Sequence, residues 1–304
     1  MKRLVVATVL VMLAAVAFAA LSTAAPWSGT RKAKAETASK LPALPSEVAQ
    51  RKRWKIGVKC DFPPFGYINR QNKNAGYEID VARRFAQLAF GRRNRVSLTC
   101  VTTPSRIPAL QRGDVDIIIS TLTWTSSREE IIDYSYPYYN ATGRLLVPNN
   151  STIRRLTDLR GKRIATTRGS IYDRYIGNCF STATKVLTDT SVGALENLRS
   201  GRADVFMYDD TFLLGVAATD PNFRMTTHKF LNVPYGIGIR KGERAMKRWV
   251  DAAILQMKRN DEFWRILRAN SPRRFWRFFL TNVPRPKTKE SYPRGRTPEA
   301  ECPR

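Results

Sequence analysis

Apolar positions along this chain fall into short continuous runs separated by segments of helical period. Lys55 to Lys59 (KIGVK) reads as a strand, followed by a proline-rich turn, Phe62-Pro63-Pro64-Phe65. Ile79, Ala82, Phe85, Ala86 and Ala89 then recur on one face of a helix predicted over 77–90. A strand follows at Val96 to Val101. A short helix over Ile107 to Gln111 stops at Gly113 and gives way to a strand at Val115 to Ile119. Strands and helices alternating through short links predict a parallel α/β sheet.

The same grammar occurs twice. Leu110-Gln111-Arg112-Gly113-Asp114-Val115-Asp116 is echoed by Leu198-Arg199-Ser200-Gly201-Arg202-Ala203-Asp204, each a helix ending at glycine before a buried strand. The first copy runs out at Ser120 and the second at Tyr208-Asp209. Lys162 to Thr167 opens the second unit as Lys55 to Lys59 opens the first. Two α/β lobes fit this repetition better than one long sheet.

In open α/β sheets, ligands sit beyond the carboxyl ends of strands. Beyond Ile119 come Ser120, Thr121, Thr123 and then Arg128. Hydroxyls beside one forked guanidinium suit a small carboxylate. With two lobes face to face, Arg128 and Asp209 fall on opposite walls, a match for the carboxylate and ammonium of a zwitterion. The competing reading pairs Arg128 with Glu129, Glu130 or Asp133 on a solvated helix.

The ends and the charge narrow the class. Lys2, Arg3 and the apolar run to Ala20, followed by small residues, read as an export signal over 1–25. The run is short for a membrane anchor. Residues 26–50 read as a flexible leader and 281–304, rich in proline, as a flexible basic tail. The 52 Lys and Arg against 25 Asp and Glu give a net charge of +27. Such a field draws anionic ligands and weakly favours anionic membrane surfaces, but no motif for specific nucleic-acid binding is present. Arg273 to Phe279 (RRFWRFF) alternates cations with aromatics and reads as the last helix, its aromatics on the first lobe.

Cys60, Cys100, Cys179 and Cys302 contain no close pair, against a zinc or redox motif. Export permits disulfides, and Cys60 and Cys100 meet if the strands they end are neighbours. The single histidine, His228, has no nucleophile near it to suggest a hydrolase. Tyr235-Gly236-Ile237-Gly238 begins like a dinucleotide loop, but the next glycine, Gly242, is one place late. No metal or cofactor is expected.

GVKCDFPPFGY, GYEIDVARRFA, RIPALQRGDVDIIISTLTWTSSREEIIDYSYPYY, DLRGKRIATTRGS and LRSGRADVFMYDD occur in that order. Together they resemble the family 3 periplasmic solute-binding proteins that deliver polar amino acids to ABC importers. The resemblance spans about Trp54 to Phe275. It implies a type II periplasmic-binding-protein fold: α/β, two doubly wound lobes joined by two crossover strands. Lobe 1 would be 51–139 with 235–280, and lobe 2 140–234. The crossovers would lie near 141–147 and 232–238, with Gly143 and Gly236 absorbing hinge rotation. A monomer in the periplasm of a Gram-negative type cell, with an ABC permease as partner, would follow.

The resemblance also implies roles. Arg128 would grip the α-carboxylate with Thr123 and the backbone at Thr121. Ser120 and Asp209 would hold the α-ammonium, Thr167 and Ser170 would close on the carboxylate, and Phe62 would flank the ligand or pack as a wall. Lys59 and Arg106 add two cations, which would suit the second carboxylate of glutamate or aspartate and repel a cationic side chain. Trp124 is expected to fill the core. The alternative is an enzyme on the same scaffold, a dehydratase of prephenate or arogenate type, with Asp209 or Glu196 as the general acid.

Overall fold

The computed structural model describes residues 41–303. The chain opens with α1 (Ser46–Arg51) and β1 (Trp54–Val58). A small sheet of β2 (Asp61–Phe62), β3 (Gly66–Ile68) and β4 (Asn74–Ala75) leads to α2 (Tyr77–Phe90), β5 (Val96–Cys100), α3 (Arg106–Gln111) and β6 (Ile117–Ile119). The helix α4 (Ser126–Glu129) precedes a long strand, β7 (Ile132–Pro148). Then come β8 (Arg163–Thr167), α5 (Ile171–Cys179), β9 (Thr184–Thr188), α6 (Ser191–Arg199), β10 (Val205–Asp209), α7 (Asp210–Thr219) and β11 (Phe223–Met225). A second long strand, β12 (Phe230–Arg240), is followed by α8 (Arg244–Arg259), α9 (Glu262–Ala269) and α10 (Trp276–Phe279).

Among the described residues nine strands form one sheet, ordered β5-β1-β6-β12-β7-β10-β8-β9 with β11 against β7. β1 lies parallel between β5 and β6, and β8 parallel between β9 and β10. β7 and β12 run antiparallel to each other from Gly143 opposite Phe230 to Ile132 opposite Arg240. The end of β12 pairs with β6, while the end of β7 pairs with β10. Two doubly wound lobes are therefore joined by two crossover strands. Gly143 and Gly236 lie on these strands where neighbours approach closely. A Cβ on Gly143 would meet the Phe230 ring at 2.5 Å, and one on Gly236 the Tyr292 hydroxyl at 1.9 Å.

The periodicity of α2 places Ile79, Ala82, Phe85 and Ala86 in the core. Met246, Trp249, Val250, Ala253 and Met257 of α8 are buried in the same core. Trp249 packs on Trp54 at 5.0 Å and on Phe85 at 5.6 Å between ring centres. β1 and β5 are neighbours with Val58 opposite Cys100, and Cys60 and Cys100 form a disulfide.

Two expectations about the ends are corrected. The leader is not wholly flexible: within its described part α1 forms, Val48 is buried, and Leu41 and Leu44 rest on the core. These apolar side chains have no regular period, so the sequence pattern did not announce their burial. The signal expected over 1–25, and the leader as far as residue 40, lie outside the described residues. The tail is not flexible either. Val283 and Glu299 are buried, Tyr292 stacks on Trp124 at 5.6 Å, and Cys302 is bonded to Cys179. Trp124 thus fills a core whose outer side is supplied by the tail. Phe279 of α10 is buried, and Phe275 and Phe278 pack on the same cluster.

Candidate ligand-binding cleft

The first wall is built at the end of β6. Thr121 takes a left-handed φ of +47°, unusual for a β-branched residue and held only by surrounding contacts. Its N–H donates to Glu78 Oε1 at 2.6 Å, and the Tyr138 hydroxyl donates to the same oxygen. Arg106, from the start of α3, donates to the carbonyls of Ser120 at 2.7 Å and Thr121 at 3.1 Å. It has no acidic ion-pair partner among the described residues. Burial pushes the Glu78 carboxyl up to about 7, against the opposing pull of Tyr138, Thr121, Arg106 and Lys59. Glu78 Oε2, Arg106 Nε and Ser120 Oγ are buried without a hydrogen-bond partner.

Arg128 sits on α4, which Thr125 caps by accepting the Arg128 N–H at 3.2 Å. Its guanidinium points inward and is 3 % exposed. Nη1 donates to the Thr123 carbonyl and Nη2 to the Gly169 carbonyl of the second lobe, each at 2.7 Å. The solvated-helix reading of Arg128 is therefore wrong: Glu129 pairs with Arg294 and Asp133 with Lys241, because α4 is one short turn that aims only Arg128 at the interior. Burial, followed by the like charge of Arg106, pulls the Arg128 guanidinium down to about 10.

The second wall comes from the ends of β8 and β10. Ser170 caps α5 by accepting the Asp173 N–H at 3.1 Å, so the start of this helix faces Arg128 through Gly169. A helix start favours an anion. The Thr167 hydroxyl lies 3.3 Å from the Tyr208 hydroxyl. Asp209 is buried and accepts from the Tyr172 hydroxyl at 2.7 Å. Burial lifts its carboxyl to about 6, although Tyr172 and Tyr235 favour the ionised form.

Lys59 and Phe62 lie where the lobes meet. Lys59 Nζ is fully buried, 2.9 Å from Asp61 Oδ1 and 3.4 Å from the Thr103 hydroxyl. Asp61 Oδ2 accepts the Ser191 N–H of α6, across the cleft, at 2.7 Å. The Phe62 ring lies 5.7 Å from Tyr208 and 5.2 Å from Phe212 of the second lobe. Ser120, Thr121, Thr123, Arg106 and Arg128 thus share one wall, Thr167, Ser170 and Asp209 the other, and Lys59 and Phe62 the seam. Glu196 is not in the cleft: it pairs with Arg199 on the surface at 2.8 Å, because its position on α6 faces outward.

Sequence reasoning missed Asp61, Glu78 and Tyr172. Glu78 in the first turn of a helix has an ordinary explanation in the helix dipole, and the tyrosine gives no sign of its partner. Asp61, two residues from Lys59 on a strand-like segment, was the one legible signal.

Residues 54–270 match the family model for bacterial extracellular solute-binding proteins, family 3. The chain belongs to this family. Among curated relatives, the ABC transporter glutamine-binding protein GlnH of Bacillus subtilis is 30% identical over 253 residues, covering 82% of this chain and 92% of the relative. The L-glutamate/L-aspartate-binding protein of Pseudomonas aeruginosa is 29% identical, covering 63% of this chain and 67% of the relative. The crystal structure of a cysteine-binding protein from Campylobacter jejuni superposes with a TM-score of 0.72 at 27% identity, covering 75% of this chain and 94% of that one. The family is thus one of solute receptors, and the likeness in fold to the Campylobacter jejuni structure extends over nearly the whole of that chain. In this member, no helix among the described residues is long and apolar enough to cross a membrane. No acidic, histidine and cysteine cluster among them could hold a metal ion.

Proposed function

We propose that this solute-binding protein captures a polar amino acid between its lobes in the periplasm and delivers it to the permease of an ABC importer. The observation that carries the reading is Arg128: a buried guanidinium without an ion-pair partner among the described residues, donating to carbonyls of both lobes, while the second lobe also carries the buried carboxylate of Asp209. The α-carboxylate goes to Arg128 and the start of α5, with Thr123, Thr167 and Ser170 around it. The α-ammonium goes to Asp209 and Ser120, whose hydroxyl has no other partner. Phe62 walls the side-chain end.

The favoured ligand is glutamate or aspartate. Arg106 is a second buried guanidinium that donates only to carbonyls, leaving positive charge for a second carboxylate. A cationic side chain would be repelled by it. A second reading, a neutral amide such as glutamine, is favoured by the Lys59–Asp61 pair, which spends the charge of Lys59 within the protein. The dehydratase alternative has Asp209 and, from the structure, Glu78 as buried acids; the relatives named above are receptors, which favours binding without turnover.

Lys59→Asp separates the ligand readings. Isothermal titration should show glutamate weakened at least about tenfold and glutamine much less, as expected when an attractive charge becomes a repulsive one. An equal loss for both would mean that Lys59 acts through Asp61 on closure and not on ligand charge. Binding of glutamine alone to the parent would replace the acidic ligand by the amide, and consumption of prephenate or arogenate would establish the enzyme.

A further inference from the structure

The tail makes a third connection between the lobes. After α10 it lies along the crossover strands, where Asn140 N–H donates to the Asn282 carbonyl at 2.8 Å. Tyr292 then docks on lobe 1: its ring stacks on Trp124, and its hydroxyl donates to the Ser135 carbonyl at 2.7 Å. Arg294 pairs with Glu129 of α4 at 2.9 Å. From there the chain passes to lobe 2. The Glu299 carbonyl accepts from Asn178 at 3.1 Å, its carboxylate lies 3.8 Å from Arg174, and Cys302 is bonded to Cys179, all on α5.

The place of this crossing matters. α4 carries Arg128, and α5 begins at the Gly169–Ser170 turn that Arg128 touches. Arg174 reaches both Ser127 of α4 and Glu299 of the tail. The tail therefore spans the edge of the cleft beside the carboxylate-binding groups, opposite in role to the hinge strands. Rotation about β7 and β12 must separate α4 from α5. The segment between its two anchors is not extended: turns close from Pro293 to Arg296, Thr297 to Ala300 and Pro298 to Glu301. Opening must undo these turns, the Arg294–Glu129 pair or the seat of Tyr292. The disulfide at the far end prevents the tail from simply letting go.

We propose that residues 281–302 form a clasp, closed by the Cys179–Cys302 disulfide, which limits how far the empty cleft opens and so makes ligand affinity depend on the oxidation of that one pair. The inference rests on the two-lobed architecture and not on which amino acid binds. An exported protein meets an environment in which such a bond forms and persists. Ligand binds only the fraction of molecules able to close, so apparent affinity falls as that fraction falls.

The test compares the oxidised full chain with a Cys179→Ser, Cys302→Ser double variant that keeps Cys60–Cys100. Small-angle scattering without ligand should give a larger radius of gyration for the variant and equal values at saturating ligand. The dissociation constants for L-glutamate and L-glutamine should both rise, by about tenfold if the closable fraction drops to one in ten. A ligand-free radius and affinities unchanged from the parent would overturn the clasp. Should the double variant not fold, Tyr292→Ala decides: it keeps the bond and frees the lobe 1 anchor, and an unchanged radius there overturns the proposal equally. The scattering result needs no ligand, so a mistaken ligand class alters only the titration.

Discussion

Replacing Arg128 with alanine should destroy binding while sparing the fold. Within the protein itself the change removes two side-chain hydrogen bonds. The Thr123 carbonyl keeps a donor, the Tyr134 hydroxyl at 3.0 Å, so only the Gly169 carbonyl loses its donor. A buried acceptor left unpaired costs about 1–3 kcal/mol. Against this, a guanidinium pulled down to about 10 by burial and the like charge of Arg106 carries a net cost of about 3 kcal/mol relative to an ordinary arginine, and the variant escapes it. The two nearly cancel, so the midpoint of thermal unfolding should move by only a few degrees. The ligand has no such compensation. Truncating one partner of a buried charge pair costs about 2–5 kcal/mol, which raises the dissociation constant about 30- to 4,000-fold. Isothermal titration with glutamate, aspartate and glutamine, beside near-ultraviolet circular dichroism, measures both halves. A folded variant that binds within about threefold of the parent would refute the placement of the carboxylate.

Acidification should move stability and binding in opposite directions. Glu78 is pushed up to about 7, and Asp209 and Asp210 to about 6, chiefly by burial. The folded chain then holds protons that the unfolded chain has released, so these groups stabilise the ligand-free fold at low pH and that contribution is lost as pH rises through 6 to 7. Thermal unfolding should occur at higher temperature at pH 5.5 than at pH 7.5; the reverse order would refute the burial argument. If Asp209 holds the ammonium as proposed, it must be ionised; about one tenth of it remains so at pH 5, and affinity should weaken about tenfold there. An affinity flat from pH 7.5 to 5 would remove Asp209 from the ligand. The Cys60–Cys100 bond lies within lobe 1, so Cys60→Ser with Cys100→Ser should lower unfolding stability by about 2–4 kcal/mol and leave the dissociation constant unchanged. A change in affinity comparable to that expected for the clasp would show that lobe 1 itself deforms on closing.

Local pattern carried much of this molecule. The 77–90 helix, the strands around Lys55, Val96 and Ile117, and the doubled helix–glycine–strand phrase are written in nearest-neighbour periodicities, which the backbone obeys wherever burial agrees with them. That phrase, with a hydroxyl segment and one arginine after the first copy and an aspartate after the second, pointed to Arg128 and Asp209. What each cation faces was not legible. Lys59 and Arg106 look alike on paper, yet one is neutralised by Asp61 and the other donates only to carbonyls. Glu78 owes its raised carboxyl to burial in the folded lobe, against the pull of the Thr121 N–H, which comes from 43 residues away in sequence.

The sequence by itself determined the element order, the two-lobed plan and the chemistry gathered at the strand ends, because these follow from local periodicity and from where parallel strands must finish. Only the tertiary structure decided the fate of the tail. Its prolines and charges read as a free end, since no period in 281–304 forecasts burial. Packing Tyr292 on Trp124 and joining Cys302 to Cys179, 123 residues away, makes it part of the cleft's edge. Such contacts depend on the distance between surfaces that exist only once both lobes have folded.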